Sequence, residues 1–471
     1  MPYSNWTAFL LRNSFILLLL LLSGIFSFTK GQTIDTTIDV IGVGSSSERT
    51  PFWIESNRFG QFASGGNQFL TRFQAHGRRA PNRFGPLELS YGADLIARPG
   101  SQSTLYFNQA YLKIQAYVFE LYGGRFHNRS PVNDEQLSMG SLGVSGNAVP
   151  IPQVRIGIPE WTGIPLTNNF IQIRAHLAHG WLEEDRFTKR PFYQEKVGHL
   201  RFGGDFPLNI YGGLAHYAVW GGKSNPRYGD LPAKFSDFFR VFMGLAGDER
   251  APNTEAIHLL GDHLGAWDFG LFFELNDVSI KVYRQLPYGD KNNLKLKNPQ
   301  DALNGLSIRF EESLNLPIKG LTYEYLYSKW QDGPNRDKFN GDENYYNHGI
   351  YRSGWATYGR TIGNPLFRTS NIPIDMLGNG IDNNRIVAHH LGLEMAVNAI
   401  QIIGKLTVSR NFGTRNDPFK SPYNQLSMGI LSQSSIAVFN QPITLLTDIA
   451  LDSGKLFGNQ VGAALGFRLS L

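Results

Sequence analysis

Hydrophobic and polar residues alternate along this chain in stretches of about eight to eleven residues, the length a tilted strand needs to cross a membrane. The clearest stretch comes last. Val461, Ala463, Leu465, Phe467, Leu469 and Leu471 fall on one face, and Gly462, Ala464, Gly466, Arg468 and Ser470 on the other. The first face suits lipid and the second a polar lumen. The same period recurs at Ile443, Leu445, Thr447, Ile449 and Leu451, at Leu391, Leu393, Met395 and Val397, and at Trp267, Phe269, Leu271 and Phe273. It recurs again at Leu321, Tyr323, Tyr325 and Tyr327, opposite Thr322, Glu324 and Ser328. At one strand and connection per two dozen residues or so, the chain accommodates roughly sixteen to twenty strands, an even number being expected. The pattern predicts an all-β fold, a transmembrane antiparallel β-barrel with minor short helices.

Connections alternate between short turns and long polar loops. The longer ones, Gln285 to Asp301, Gln331 to His348 and Leu366 to Ile386, are rich in Asn, Asp, Gly and Lys and are expected outside or folded into the mouth. Pro131 to Pro165 reads as an ordered, non-strand insertion, because prolines at 131, 150, 152, 159 and 165 interrupt it and several glycines permit unusual backbone angles. The best helix candidate is Leu231 to Phe242, which Pro232 could open and where Phe235, Phe238, Phe239 and Phe242 would share a face.

The one continuously apolar run, Phe15 to Leu22 and on to Phe28, follows Arg12 and precedes Ser27, Thr29 and Gly31, with no acid before Asp35. That is the layout of a secretory signal peptide, so residues 1–31 are expected to be cleaved and 32–471 to form a single barrel domain. A membrane-helix bundle is excluded by the lack of further apolar runs. Without the leader the formal charge drops from +5 to +3, since Arg12 and Lys30 leave and no acid does (5 − 2). Dispersed basic residues give no support for nucleic-acid binding. There is no cysteine, hence no disulfide and no lipidated N-terminal cysteine. A closed barrel is stable on burial and hydrogen bonds alone, because no strand edge faces lipid. The signal peptide, the strand reaching the last residue and the alternating connections favour a barrel over a soluble β-sandwich or propeller. Barrels of this kind often end in an aromatic residue, whereas this chain ends in Leu471.

No catalytic spacing is present. A nucleophile elbow needs glycine two before and two after the serine; Ser141 follows Met139 by two, and Ser145 precedes Asn147 by two. His389 and His390, with Glu394 nearby, would point to opposite faces of a strand, so no metal centre is expected. Asp337, Asn340, Asp342 and Glu343 lack the ordered spacing of a calcium loop. No enzyme activity and no cofactor are expected. The dense feature is instead a polar-aromatic tract from Trp330 to Pro365, with Trp330, Gln331, Tyr345, Tyr346, Asn347, Trp355, Tyr358, Arg360 and Asn364. Sugar rings present apolar C–H faces that stack on aromatics, and hydroxyls that call for amide, carboxylate and guanidinium partners. The same residues also suit a membrane-interface girdle with a polar wall.

Several segments resemble the capsule assembly Wzi family of outer-membrane proteins. They are Thr50 to Trp53 followed by Ser56 to Gly60, Leu137 to Ser145, Asn147 to Gln153, Gly261 to Gly265 and Asp342 to Asn347. The strongest is Tyr351 to Pro365, with Gly354, Trp355, Tyr358, Gly359, Arg360, Ile362, Gly363, Asn364 and Pro365. Where the family usually carries serine before Gly333 and Pro334, this chain has Asp332. The resemblance implies an outer-membrane barrel of about eighteen strands, with small helices at its periplasmic end, that attaches capsular polysaccharide to the cell surface in a lectin-like, non-catalytic manner. On this reading Trp330, Gln331, Asp342, Asn344, Tyr345, Tyr346, Asn347, Trp355, Tyr358, Arg360 and Asn364 contact capsular or other exopolysaccharide. Asn147, Pro150, Pro152 and Gln153 belong to a lumen-closing segment. The expected partners are that polymer and outer-membrane lipid, not nucleic acid, and the expected state is a monomer. A general or sugar-specific diffusion porin is the alternative, with the same fold and an open, charged lumen.

Overall fold

A computed structural model describes residues 32–471 except 80–86, 100–102, 225–227, 290–295, 297, 334–342, 371–379 and 439–440. The expected signal peptide, and with it Asp337, Asn340 and Asp342, lie outside the described residues.

Period-two alternation produces strands, and eighteen of them form one antiparallel sheet. They are β1 (Gln32–Ser45), β2 (Gln68–Arg79), β3 (Leu87–Arg98), β4 (Thr104–Ala116), β5 (Phe119–Arg125), β6 (Gln153–Gly163), β7 (Ile171–Trp181), β8 (Phe192–Phe202) and β9 (Leu208–Trp220). The others are β10 (Asp262–Glu274), β11 (Val278–Tyr288), β12 (Ala302–Phe310), β13 (Ile318–Tyr327), β14 (Ile386–Val397), β15 (Ile400–Gly413), β16 (Pro418–Val438), β17 (Gln441–Gly454) and β18 (Gln460–Ser470). Each strand pairs with its successor, and β18 returns to β1 from Thr37↔Ser470 to Ser45↔Gly462, so the sheet closes. Across that seam Arg468 donates two hydrogen bonds to the Asp39 carboxylate, at 2.7 and 2.8 Å, on the lumen side.

The alternation read from the C-terminus holds in β18. Val461, Leu465 and Phe467 are exposed toward lipid, while Gly462, Ala464 and Gly466 are buried inward. Glycine on the wall serves close packing: Gly305 lies opposite Tyr283 and Gly270 opposite Tyr211, and a Cβ on either would meet the tyrosine ring at 2.0 or 2.4 Å. The large ring covers the strand where glycine supplies no side chain.

The start of β1, the end of β18 and the short connections, such as 117–118, 275–277 and 398–399, share one end of the barrel, and the long connections 46–67, 126–152, 221–261 and 328–385 share the other. Short turns face the periplasm in such barrels, so the long connections are external. No described helix is long and apolar enough to cross a membrane.

Three sequence expectations need correction. Pro131 to Pro165 is not wholly irregular, because Gln153–Gly163 forms β6; Pro159 fits there within a register shift between Ile158 and Thr162, where its missing N–H breaks no ladder bond. The helix expected from Leu231 is α2 (Phe235–Met243), entered after Lys234, so Pro232 precedes it rather than opening it. Finally, the described α-helices, α1 (Phe52–Glu55), α2 and α3 (Asn253–Ile257), all lie in long external connections, and among the described residues the periplasmic end carries only the 3₁₀ turn Glu312–Leu314.

Candidate functional site

The site is built by chain that leaves the wall and folds inward. In 126–152 the serine and glycine spacing makes a series of tight turns: the hydroxyls of Ser138, Ser141 and Ser145 accept the N–H groups of Gly140, Gly143 and Asn147 at 2.9, 3.3 and 3.1 Å. These are side-chain turns that free the backbone from strand pairing. The serines examined for a nucleophile elbow are thus turn formers.

The wall receives this segment on opposite sides. Glu324 of β13, fully buried, accepts hydrogen bonds from Asn133 Nδ2 (3.2 Å), Ser138 Oγ (2.7 Å), Met139 N (2.6 Å) and Tyr283 Oη (2.5 Å). His390 Nε2 lies 2.7 Å from the Leu137 carbonyl, while His389 faces outward beside Tyr323, so the adjacent histidines do point to opposite faces. Asp134 is gripped by Arg309 through 2.8 and 2.5 Å contacts. Burial alone would raise the Asp134 carboxyl, but Arg309 outweighs it and holds the group below its ordinary value. Across the lumen, Asn128 Nδ2 donates to Glu195 of β8 at 3.3 Å.

A second inward segment, 328–385, is stitched to the first. Trp355 Nε1 donates to the Gly143 carbonyl (2.7 Å) and Tyr346 Oη to that of Leu142 (2.5 Å). Asn364 Nδ2 donates to the Gly140 carbonyl (2.6 Å), Asn147 Nδ2 to that of Thr361 (3.0 Å) and Ser145 Oγ to that of Gly363 (2.6 Å). Pro150 is buried with them, and Pro152 and Gln153 stand where the chain enters β6.

This placement divides the eleven residues expected to contact polysaccharide. Gln331, Tyr345, Tyr346, Trp355 and Asn364 are buried, each below 5% exposure, and build the interior packing rather than a presented surface. Tyr345 Oη is bonded to Asp301 and Gln331 Nε2 to the Asn384 carbonyl, which accounts for polar groups that looked available in sequence. Trp330, Asn344, Asn347 and Arg360 are half-buried. Arg360 is committed to the buried floor, reaching the Phe62 carbonyl at 2.7 Å and Glu55 at 3.2 Å. Asp342 lies outside the described residues.

Tyr358 is different, at 52% exposed. It occupies the tip of a two-residue turn between Ala356–Thr357 and Arg360–Thr361, with φ of 48° at Tyr358 and 75° at Gly359. Two positive φ values fit the right-handed twist of a tight hairpin, yet a bulky aromatic is costly at the first, where Asn or Gly is usual. Glu183 holds the turn, accepting from Tyr358 N (3.0 Å) and Thr357 Oγ1 (2.6 Å). Arg125, at the external end of β5, lies over the ring at 5.6 Å and donates to its hydroxyl at 3.2 Å. An exposed ring held in a strained turn beside a guanidinium is the external feature best suited to a sugar. Sequence reasoning missed Arg125 and Glu183, since neither carries any local mark beyond its place at a strand end or in a loop.

The sequence model of the family described as capsule assembly protein Wzi matches residues 45–371. The chain belongs to this family. No curated protein matches it in sequence. Among solved structures it is similar to Wzi of Escherichia coli, described as an outer-membrane protein involved in group 1 capsule assembly and a carbohydrate-binding β-barrel, with TM-score 0.57 and 14% identity over 92% of this chain and 84% of that one. It is also similar to OccK3 of Pseudomonas aeruginosa, with TM-score 0.50 and 9% identity over 96% of this chain and 99% of that one. At such identity the structures establish the fold alone. With its family and its lipid-facing alternation, the chain is an outer-membrane β-barrel.

Proposed function

We propose that this Wzi-family barrel binds capsular or other exopolysaccharide at its external face and anchors it to the cell, as a monomer and without catalysis. The carrying observation is the combination of an exposed Tyr358, fixed beside Arg125, with two inward segments stitched together beneath it. Tyr358 offers a stacking face and Arg125 a hydroxyl- or carboxylate-binding fork; half-buried Trp330, Asn344 and Asn347 extend the surface. The buried members of the tract act indirectly, by holding the platform. A long polymer repeats its epitope, so modest affinity per site gives firm retention through effective concentration. Asn147, Pro150, Pro152 and Gln153, with the rest of 126–152, close the lumen on this reading.

The test is to delete the gene and weigh polymer retained on washed cells against polymer in the medium. Shedding restored by wild type but not by a Tyr358→Ala, Arg125→Ala double variant supports anchoring. Unchanged retention with reduced uptake of small solutes would favour the porin alternative.

A further inference from the structure

At the periplasmic mouth the inner faces of six consecutive strands, β6 to β11, carry a basic and aromatic patch that external anchoring does not use. Arg174 of β7, Arg201 of β8 and Lys281 of β11 stand on the lumen side near the periplasmic ends of their strands. The Arg174 and Arg201 guanidiniums lie 4.7 and 5.1 Å from the ring of Trp161 (β6), and Arg201 and Lys281 lie 5.9 and 5.1 Å from that of Phe272 (β10). The two aromatics fix three cations into one arc.

Several other wall cations are matched, Arg72 with Asp94, Arg155 with Glu120, Arg309 with Asp134 and Arg468 with Asp39, whereas Lys196 and Lys405 stand singly over the rings of Phe242 and Trp53. Among the described residues, Arg174, Arg201 and Lys281 have no carboxylate within ion-pair distance. Asp134 is taken by Arg309, and Asp268 by His199 and Gln285; Glu160 and Glu274 act on Arg174 and Arg201 only at longer range. Arg174 Nη2 and Lys281 Nζ instead converge on one neutral group, the Pro131 carbonyl, at 3.4 and 3.2 Å. Arg174 Nε is buried with no hydrogen-bond partner at all. Arg201 Nε donates to Gln172. Of the three, Arg174 also lines a cavity of about 580 Å³ between this wall and the inward segment, whose other walls carry Arg129 and Arg155 together with the carboxylates of Glu120, Glu135 and Glu160. Like charges converging on one carbonyl beside an unmet donor leave an electrostatic deficit that an anion fills.

We propose that this arc is a second ligand site, at the periplasmic mouth, for a carboxylated sugar of an acidic oligosaccharide. Planar guanidiniums pair with a carboxylate in bidentate fashion, which fits an acid group better than a neutral hydroxyl. That the ligand is a glycan rests on the proposed function; that it is anionic rests on the arc alone.

The test titrates the full-length barrel in detergent with an oligogalacturonate, its methyl ester and a neutral dextran oligomer, following tryptophan fluorescence and heat of binding. Arg201→Gln, which touches no inward segment, and Lys281→Gln are compared with Tyr358→Ala, and retained heat-modifiable migration on gels certifies each barrel as folded. Oligogalacturonate should bind, the neutral sugars should not compete, and each lost cation should weaken binding about tenfold or more. Arg201→Lys should recover part of the loss, and Tyr358→Ala should leave this site unaffected. Equal binding of the methyl ester, or full affinity in both cation variants, overturns the proposal. Displacement by inorganic phosphate or acetate as effective as by the oligomer reduces it to a small-anion site and overturns the sugar. Loss of binding in Tyr358→Ala alone leaves external anchoring standing and removes this site.

Discussion

Trp355→Ala separates a platform-building role from a sugar-contacting one. The indole is 1% exposed, packs against Tyr193 and Tyr217 with ring centroids 5.9 and 5.6 Å away, and donates to the Gly143 carbonyl at 2.7 Å. Truncating a buried tryptophan costs about 3–5 kcal/mol, and the abandoned Gly143 carbonyl is part of that cost. The wall is spared, because its strands remain paired edge to edge around the ring. The loss falls on the stitching between 126–152 and 328–385, so the inward segments should open locally by a free energy reduced by about 3 kcal/mol or more, a hundredfold gain in the open population. Hydrogen exchange should then accelerate at the amides of 142–147, and planar-bilayer recordings should show conductance steps that wild type lacks. Tyr358→Ala, which removes an exposed ring, should do neither. If Trp355→Ala keeps both amide protection and a silent bilayer, the tryptophan is not what holds the segments together and the reasoning fails.

Glu324→Gln replaces an acceptor of four hydrogen bonds with a group that has one oxygen and two donors of its own, so it should destabilise the 133–139 turn by about 1–3 kcal/mol, read as faster exchange there. Gly305→Ala places a Cβ at 2.0 Å from the Tyr283 ring and should displace the hydroxyl that bonds Glu324, giving an effect of similar size, about 1–3 kcal/mol, at the same amides; unchanged exchange would show that the wall yields instead. For pH, burial, with His263 adding to it, pulls His348 from 6.5 down to about 4, and its Nδ1 accepts the N–H groups of Ile350 and Tyr351 at 3.2 and 3.4 Å as a neutral ring must. The unfolded loop takes up a proton first, so loop stability should fall as pH drops from about 6.5 to about 4, by roughly 3 kcal/mol, and level off below; His348→Asn should flatten that profile of exchange at residues 345–351.

The wall was legible because its physics is local. Lipid and lumen sit on opposite faces of one strand, so Val461, Leu465 and Phe467 reveal their environment by spacing alone, and His389 and His390 part company for the same reason. The interior was not legible, because its partners are remote. Tyr346 and Tyr358 stand twelve positions apart in the same aromatic tract and read alike as sugar contacts, yet Tyr346 Oη is spent on the Leu142 carbonyl while Tyr358 is exposed at a hairpin tip. What distinguishes them is a left-handed turn closed by Glu183 and a guanidinium from β5, neither near in sequence. Composition therefore located the tract but could not divide it, since a planar aromatic with a polar tip satisfies a buried carbonyl as well as it does a sugar hydroxyl. The turn chemistry beneath it did leave a trace. A hydroxyl two residues before an N–H, repeated at Ser138–Gly140, Ser141–Gly143 and Ser145–Asn147, is the pattern of a chain that turns on itself without a ladder, and it lies in the segment that leaves the wall. The same repeat, read as failed nucleophile elbows, pointed to chemistry; read as backbone caps, it points to the inward fold on which the external platform rests.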